Sequence, residues 1–92
     1  MEKQIKLFLE FLQNDKKLSD NTLQSYRRDI AQFQKYIDGK QTSYTKADEE
    51  VIKEYLEYLQ NIGKKASTIS RNLASIRSFY QFLLRTKKIK VD

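Results

Sequence analysis

Cysteine, histidine and proline are absent from this 92-residue chain, and glycine occurs twice, at Gly39 and Gly63. Without cysteine or histidine there is no disulfide scaffold, no usual zinc site, no thiol nucleophile and no histidine-dependent triad or proton relay. No metal and no cofactor is therefore expected. With so few breakers, and both glycines where helices should end, the expected fold class is all-α. No apolar run approaches the length that crosses a bilayer, and the opening Met1-Glu-Lys-Gln lacks the apolar stretch of a signal peptide. A soluble, cytoplasmic protein with no membrane partner is expected. A chain of this length builds a single domain, residues 1–92, with one core and one working surface; it is too small for an active-site cavity walled by two subdomains.

Positive charge is plentiful and unevenly placed. The net charge is +6 and the isoelectric point near 9.6, which favours an acidic partner. Residues 1–44 carry eight basic and six acidic side chains, residues 45–63 two and five, and residues 64–92 eight and one. The last third thus carries most of the positive field.

Apolar residues recur with helical period in four stretches. Ile5, Phe8, Leu9 and Leu12 define a first helix over about residues 2–14. Ser19 is suited to cap a second, whose inward stripe is Leu23, Tyr26, Ile30, Phe33 and Ile37, ending near Asp38-Gly39. After a polar loop at 39–44, Thr45 with Asp48 resembles a capping box. Val51, Ile52, Tyr55, Leu56, Leu59 and Ile62 continue a third helix to Gly63, its acidic first turn matching the positive end of the helix dipole. Ser67 is read as the cap of a fourth helix with Ile69, Leu73, Ile76, Tyr80 and Leu83 inward, fraying through Arg85-Thr-Lys-Lys. Tyr26, Phe33, Tyr55 and Tyr80 are expected in the core. Phe82 falls over about 130° from the fourth stripe at 100° per residue, so it either covers a neighbouring helix or awaits a partner.

Two of these stretches rhyme. Leu18–Ile30 and Lys64–Leu83 each open with a polar cluster rich in hydroxyls and continue with arginine, serine and amide side chains on the faces away from the apolar stripe. Hydroxyls and free N–H groups at a helix N-terminus bind phosphate oxygens, and Arg, Asn or Gln one or two turns further along reach base edges in a major groove. The wheel puts Ser25 and Arg28 on the outer side of helix two, and Arg71, Ser75 and Ser78 on that of helix four, with Ser67 and Thr68 at its mouth and only Asp29 nearby to oppose the charge. Ser19 and Ser67 are equally explained as caps, a role compatible with phosphate contact. Arg28 and Arg71 are also explained as solvated helix residues.

The run Asn21-Thr-Leu-x-x-Tyr26-Arg-Arg-Asp-Ile30, followed by Ser67-Thr-Ile-x-Arg71-x-Leu73-Ala-Ser-Ile-Arg77-Ser-Phe79-Tyr80-x-Phe82-Leu83, resembles the N-terminal core-binding domain of tyrosine recombinases, the phage-integrase and Xer-type enzymes. The resemblance runs from Phe8 to about Lys88. It implies a compact four-helix orthogonal bundle, also called SAM-like, that forms one jaw of a clamp on double-stranded DNA. Its second and fourth helices would cross near the major groove of a recombination half-site. Carried over residue by residue, it places Asn21, Thr22, Ser25 and Arg28, and Lys65, Ser67, Thr68, Arg71 and Ser75, near DNA. Arg27 and Arg77 match recurrent family arginines, with a structural role equally open to them. The partners implied are duplex DNA, a C-terminal catalytic domain and further recombinase protomers. The catalytic jaw, with its arginines, lysine, histidine-rich motif and nucleophilic tyrosine, is expected to be absent from this chain, so the chain is not an enzyme on its own and none of its six tyrosines is the nucleophile. The competing reading is a helical protein–protein interaction domain with no DNA role, working through Phe79, Phe82 and the acidic third helix.

Overall fold

A computed structural model describes residues 2–42, 44 and 47–86. Four helices account for most of them: α1 Glu2–Asn14, α2 Asp20–Gly39, α3 Glu49–Asn61 and α4 Ala66–Arg85. The all-α, four-helix architecture is the one the periodicities and missing breakers dictate. Thr45, half of the expected capping box, and Lys87 and Lys88 lie outside the described residues. No helix among the described residues is long and apolar enough to cross a membrane.

The helix ends show where local chemistry agrees with the sequence reading and where it departs. Ser19 caps α2, its Oγ accepting from the Thr22 N–H at 3.3 Å. Asp48 is itself the α3 cap, accepting from the Val51 N–H at 3.1 Å. Helix α3 closes with a left-handed residue, Gly63 at φ +89. There the Lys64 N–H reaches the Leu59 carbonyl and the Gly63 N–H the Gln60 carbonyl, the paired bonds that satisfy a helix's last acceptors. Helix α2 closes the same way without glycine: Gln41 takes the left-handed position at φ +58, and Thr42 N–H reaches Ile37 O. Gly39 is the last residue of the helix, where the sequence places its end, but it does not supply the left-handed turn. Ser67 is not a cap. Helix α4 begins at Ala66, its N-cap is Lys65, and no side chain caps it. Replacing Ser19 by alanine should therefore destabilise by about 1 kcal/mol, whereas Ser67→Ala should stay within about 0.5 kcal/mol of the parent, a contrast readable in urea melts.

The core forms two clusters. One joins Ile5, Phe8 and Leu12 of α1 with Ile30, Phe79 and Leu83. The other joins Tyr55 and Leu59 of α3 with Phe33, Ile37 and Ile76. Tyr80 packs against both, its ring 6.4 Å from Phe33 and 5.9 Å from Phe79, and its hydroxyl donates to the Tyr44 carbonyl at 2.6 Å. Burial pushes the Tyr80 hydroxyl well above the ordinary phenol range, with Tyr44 adding to the effect.

The inward stripe of α4 is rotated from the one its aliphatic spacing predicts. The buried residues are Asn72, Ser75, Ile76, Phe79 and Leu83, an arc centred roughly 60° away from Ile69. Leu73, expected at its middle, is only partly buried and joins neither cluster. Ile62, expected inward on α3, is 51% exposed just past the helix end. The rotation is driven by aromatic rings. Phe79 fits edge-on to Phe8 at 5.5 Å, and Phe82 lies over Phe8 and Phe11 at 5.4 and 5.2 Å, so Phe82 covers α1.

Candidate nucleic-acid interface

Helices α2 and α4 make the most extensive helix pairing in the domain, and a polar node fixes where they cross. Asp29 is fully buried, on the border of the α2 apolar stripe. The Arg71 guanidinium meets it as a two-pronged fork, Nε to Oδ2 and Nη2 to Oδ1, both at 3.0 Å. Ser75, one turn on, donates its hydroxyl to Oδ2 at 3.0 Å. The carboxylate thus accepts three hydrogen bonds, which offsets the desolvation of its charge. This is the one salt bridge among the described residues. Hydrogen bonding to Asp29 tightens the guanidinium's hold on its proton further, against a smaller opposing effect of desolvation.

The crossing sorts the sequence-predicted residues. Taking Asp29 as zero on α2, Thr22 lies about 20° toward the apolar stripe, whereas Ser25, Asn21 and Arg28 lie about 40°, 80° and 100° to the other side. Asn21, Thr22 and Arg28 are exposed and Ser25 partly so. On α4, Ser67 lies within about 40° of Arg71 and Thr68 within about 60°. Ser67 is exposed, Thr68 partly buried, and Lys65 exposed at the N-cap. Arg71 keeps 45% of its side chain exposed at the edge of the crossing. Ser75 differs: expected on the outer face, it is 3% exposed, and its hydroxyl is directed inward to Asp29. Arg27 and Arg77 are both exposed, Arg27 beside the α1–α2 groove with Leu9 and Leu23, and Arg77 beside Leu73.

The two helix mouths differ in chemistry. That of α2 is closed by the Ser19 cap, with the Ser19 and Thr22 hydroxyls 3.0 Å apart. That of α4 has no side-chain cap, so its first N–H groups face outward beside Lys65, Ser67 and Thr68, the arrangement that takes an anion. Two buried polar atoms near the node have no partner among the described residues, the Tyr55 hydroxyl and Asn72 Oδ1. The Asn72 amide donates to the Thr68 carbonyl at 2.9 Å, one turn inside the α4 mouth. The Tyr55 phenol is pushed up to about 12, chiefly by burial and then by the charge of Asp29 and by Tyr58.

The family model for the phage integrase N-terminal SAM-like domain matches residues 5–87. The chain belongs to that family. Among relatives, this integrase N-terminal domain is 46% identical over 85 residues to a protein of Caldanaerobacter subterraneus subsp. tengcongensis that carries the name of a tyrosine recombinase. It is 41% identical over 87 residues to the tyrosine recombinase XerD of Oceanobacillus iheyensis and 40% identical over 93 residues to that of Staphylococcus aureus. These alignments cover 92%, 92% and 100% of the chain but 29%, 29% and 32% of the relatives, so the chain spans about 30% of their length. No solved structure matches it.

The residue that sequence reasoning undervalued in the integrase domain is Asp29. It stood out as the lone acid on an otherwise basic face, and that was the available signal: an acid beside an apolar stripe, with an arginine and a serine one turn apart on another helix, has the makings of a buried pair. Periodicity cannot say that the three converge, because their sequence separations are 42 and 46 residues.

Proposed function

We propose that this domain is the DNA-binding module of a site-specific tyrosine recombinase, gripping one face of a recombination half-site through α2 and α4. The observation that carries this reading is the lock between the two helices at Asp29–Arg71. It ties α4 to α2 beside small polar and cationic side chains that both helices expose, and its acid is already paired with Arg71. Asn21, Thr22, Ser25 and Arg28 contact DNA from α2; Lys65, Ser67, Thr68 and Arg71 do so from α4, whose open mouth receives a phosphate. Ser75 belongs to this set through Asp29 rather than by direct contact. A C-terminal catalytic domain and further protomers complete the assembly, and strand cleavage and ligation belong to that domain, so the 92 residues alone neither cut nor join DNA.

The rival reading, a protein-interaction domain, needed Phe79 and Phe82 on the surface. Phe79 is fully buried and Phe82 lies over Phe8 and Phe11, which removes its aromatic face. The domain should bind duplex DNA with micromolar or weaker affinity at physiological salt, on the order of non-specific binding, and with a steep salt dependence from counterion release. An NMR titration with a short duplex tests this. Shifts are expected on residues 19–35 and 64–78; shifts clustered on Asp48–Leu59 of α3 instead would overturn it.

A further inference from the structure

Arg71 is one of two arginines on the proposed face, yet its charge is cancelled where it stands. Asp29 lies 3.0 Å away at two points, is fully buried and cannot move aside without breaking its bond to Ser75. A phosphate approaching this pair meets no net charge, and the fixed carboxylate behind the guanidinium repels it. A neutral acceptor meets something different. Guanidinium carries five N–H donors in a rigid plane. The fork to Asp29 uses the Nε–H and one Nη2–H, leaving the Nη1 pair and the second Nη2–H, for which the described residues supply no acceptor. Two of these, one on each terminal nitrogen, point away from Asp29 in parallel. Side by side, they match the O6 and N7 acceptors on the major-groove edge of guanine. With both oxygens of Asp29 engaged, the plane of the fork is set before DNA arrives, so little rotamer freedom is lost on contact.

Resting on the DNA-binding reading above, we infer that the Asp29–Arg71 pair is a base-reading device: Arg71 recognises one guanine, and Asp29 and Ser75 are positioning residues that aim it and cancel its attraction for phosphate. Selectivity at that base pair then comes from the pair, and salt-dependent affinity from Arg28, Lys65 and the α4 mouth.

The test takes this 92-residue chain through selection from a pool of duplexes with a randomised central stretch, followed by binding to selected and unselected duplexes over a range of salt. The parent should enrich one guanine, with about a tenfold or greater preference over other bases there. Arg71→Lys keeps the charge but lacks the fork; it should lose the enrichment while holding unselected duplex within about twofold of the parent. Asp29→Asn uncovers one cation; it should bind unselected duplex more tightly, with a salt slope steeper by about 0.9 and a reduced guanine preference. Ser75→Ala should weaken the preference at unchanged slope. A merely structural role for Asp29 would leave the base preference unmoved, since the change in slope follows from the lost charge alone. If Arg71→Lys retains the guanine enrichment, or folded Asp29→Asn keeps the parent's slope, the base-reading device is wrong although the DNA-binding reading stands. If the parent binds no duplex at any salt, both fall. Should circular dichroism show Asp29→Asn unfolded, Arg71→Lys and Ser75→Ala decide the question.

Discussion

Replacing Phe79 by alanine is expected to remove about 3–5 kcal/mol of folding stability, most of what a domain this small has, since about 5–10 kcal/mol in total is typical. The ring is fully buried, edge-on to Phe8 at 5.5 Å and 5.9 Å from Tyr80. Truncation opens a hole between α1 and α4 that neither rigid neighbour can collapse into. Leu73→Ala, at a partly buried position outside both clusters, should lose only about 1 kcal/mol. Urea denaturation followed by circular dichroism separates the two, and equal losses would return the inward stripe of α4 to the phase centred on Ile69 and Leu73.

Arg71→Ala should come next, at about 3 kcal/mol. The lost salt bridge is the smaller part of this. Removing the guanidinium leaves the buried Asp29 carboxylate with the Ser75 hydroxyl as its remaining partner, and an unpaired buried charge is what makes such truncations severe. The figure sits at the low end for buried pairs because Arg71 is itself 45% exposed, so water can enter the space it vacates. Adding Asp29→Asn to Arg71→Ala removes the stranded charge and should recover part of the loss in thermal melts. If the double variant is instead less stable by the sum of the two single losses, the pair is energetically independent and the node does not work as described.

The features legible in the sequence were those set by neighbouring residues. The four helices, the span of α1, the Ser19 cap and the inward faces of α1 and α2 all follow from spacing and cap chemistry within a turn or two. The departures arise where a distant contact outweighs a local preference. Ser67 looks like a cap, but the chain turns helical at Ala66 and leaves the mouth of α4 open. Gly39 does end α2, but the left-handed position of the closure falls two residues later on Gln41, where the Gln41 and Thr42 N–H groups reach the Asp38 and Ile37 carbonyls. The phase of α4 was misjudged because an aliphatic tally counts Leu73 and passes over Asn72, Ser75 and Phe79. Phe79 is drawn inward by packing on α1 and Ser75 by Asp29, and no window of consecutive residues contains that information. Of the residues the wheel put outward, Arg28 and Arg71 are exposed, whereas Ser75 is buried against Asp29.

The division of the core into two clusters bears on how the domain opens. Helix α1 belongs to one cluster and α3 to the other, and the two do not touch, whereas α2 and α4 contribute to both. Either flanking helix can therefore fray in a sub-global fluctuation while the opposite half of the core remains closed, so amide protons of α1 and α3 report separate opening events and those at the centre of α2 and α4 report the global one. The pair α2 and α4 should thus be the most slowly exchanging part of the molecule, and local breathing at its margins should leave their polar faces assembled.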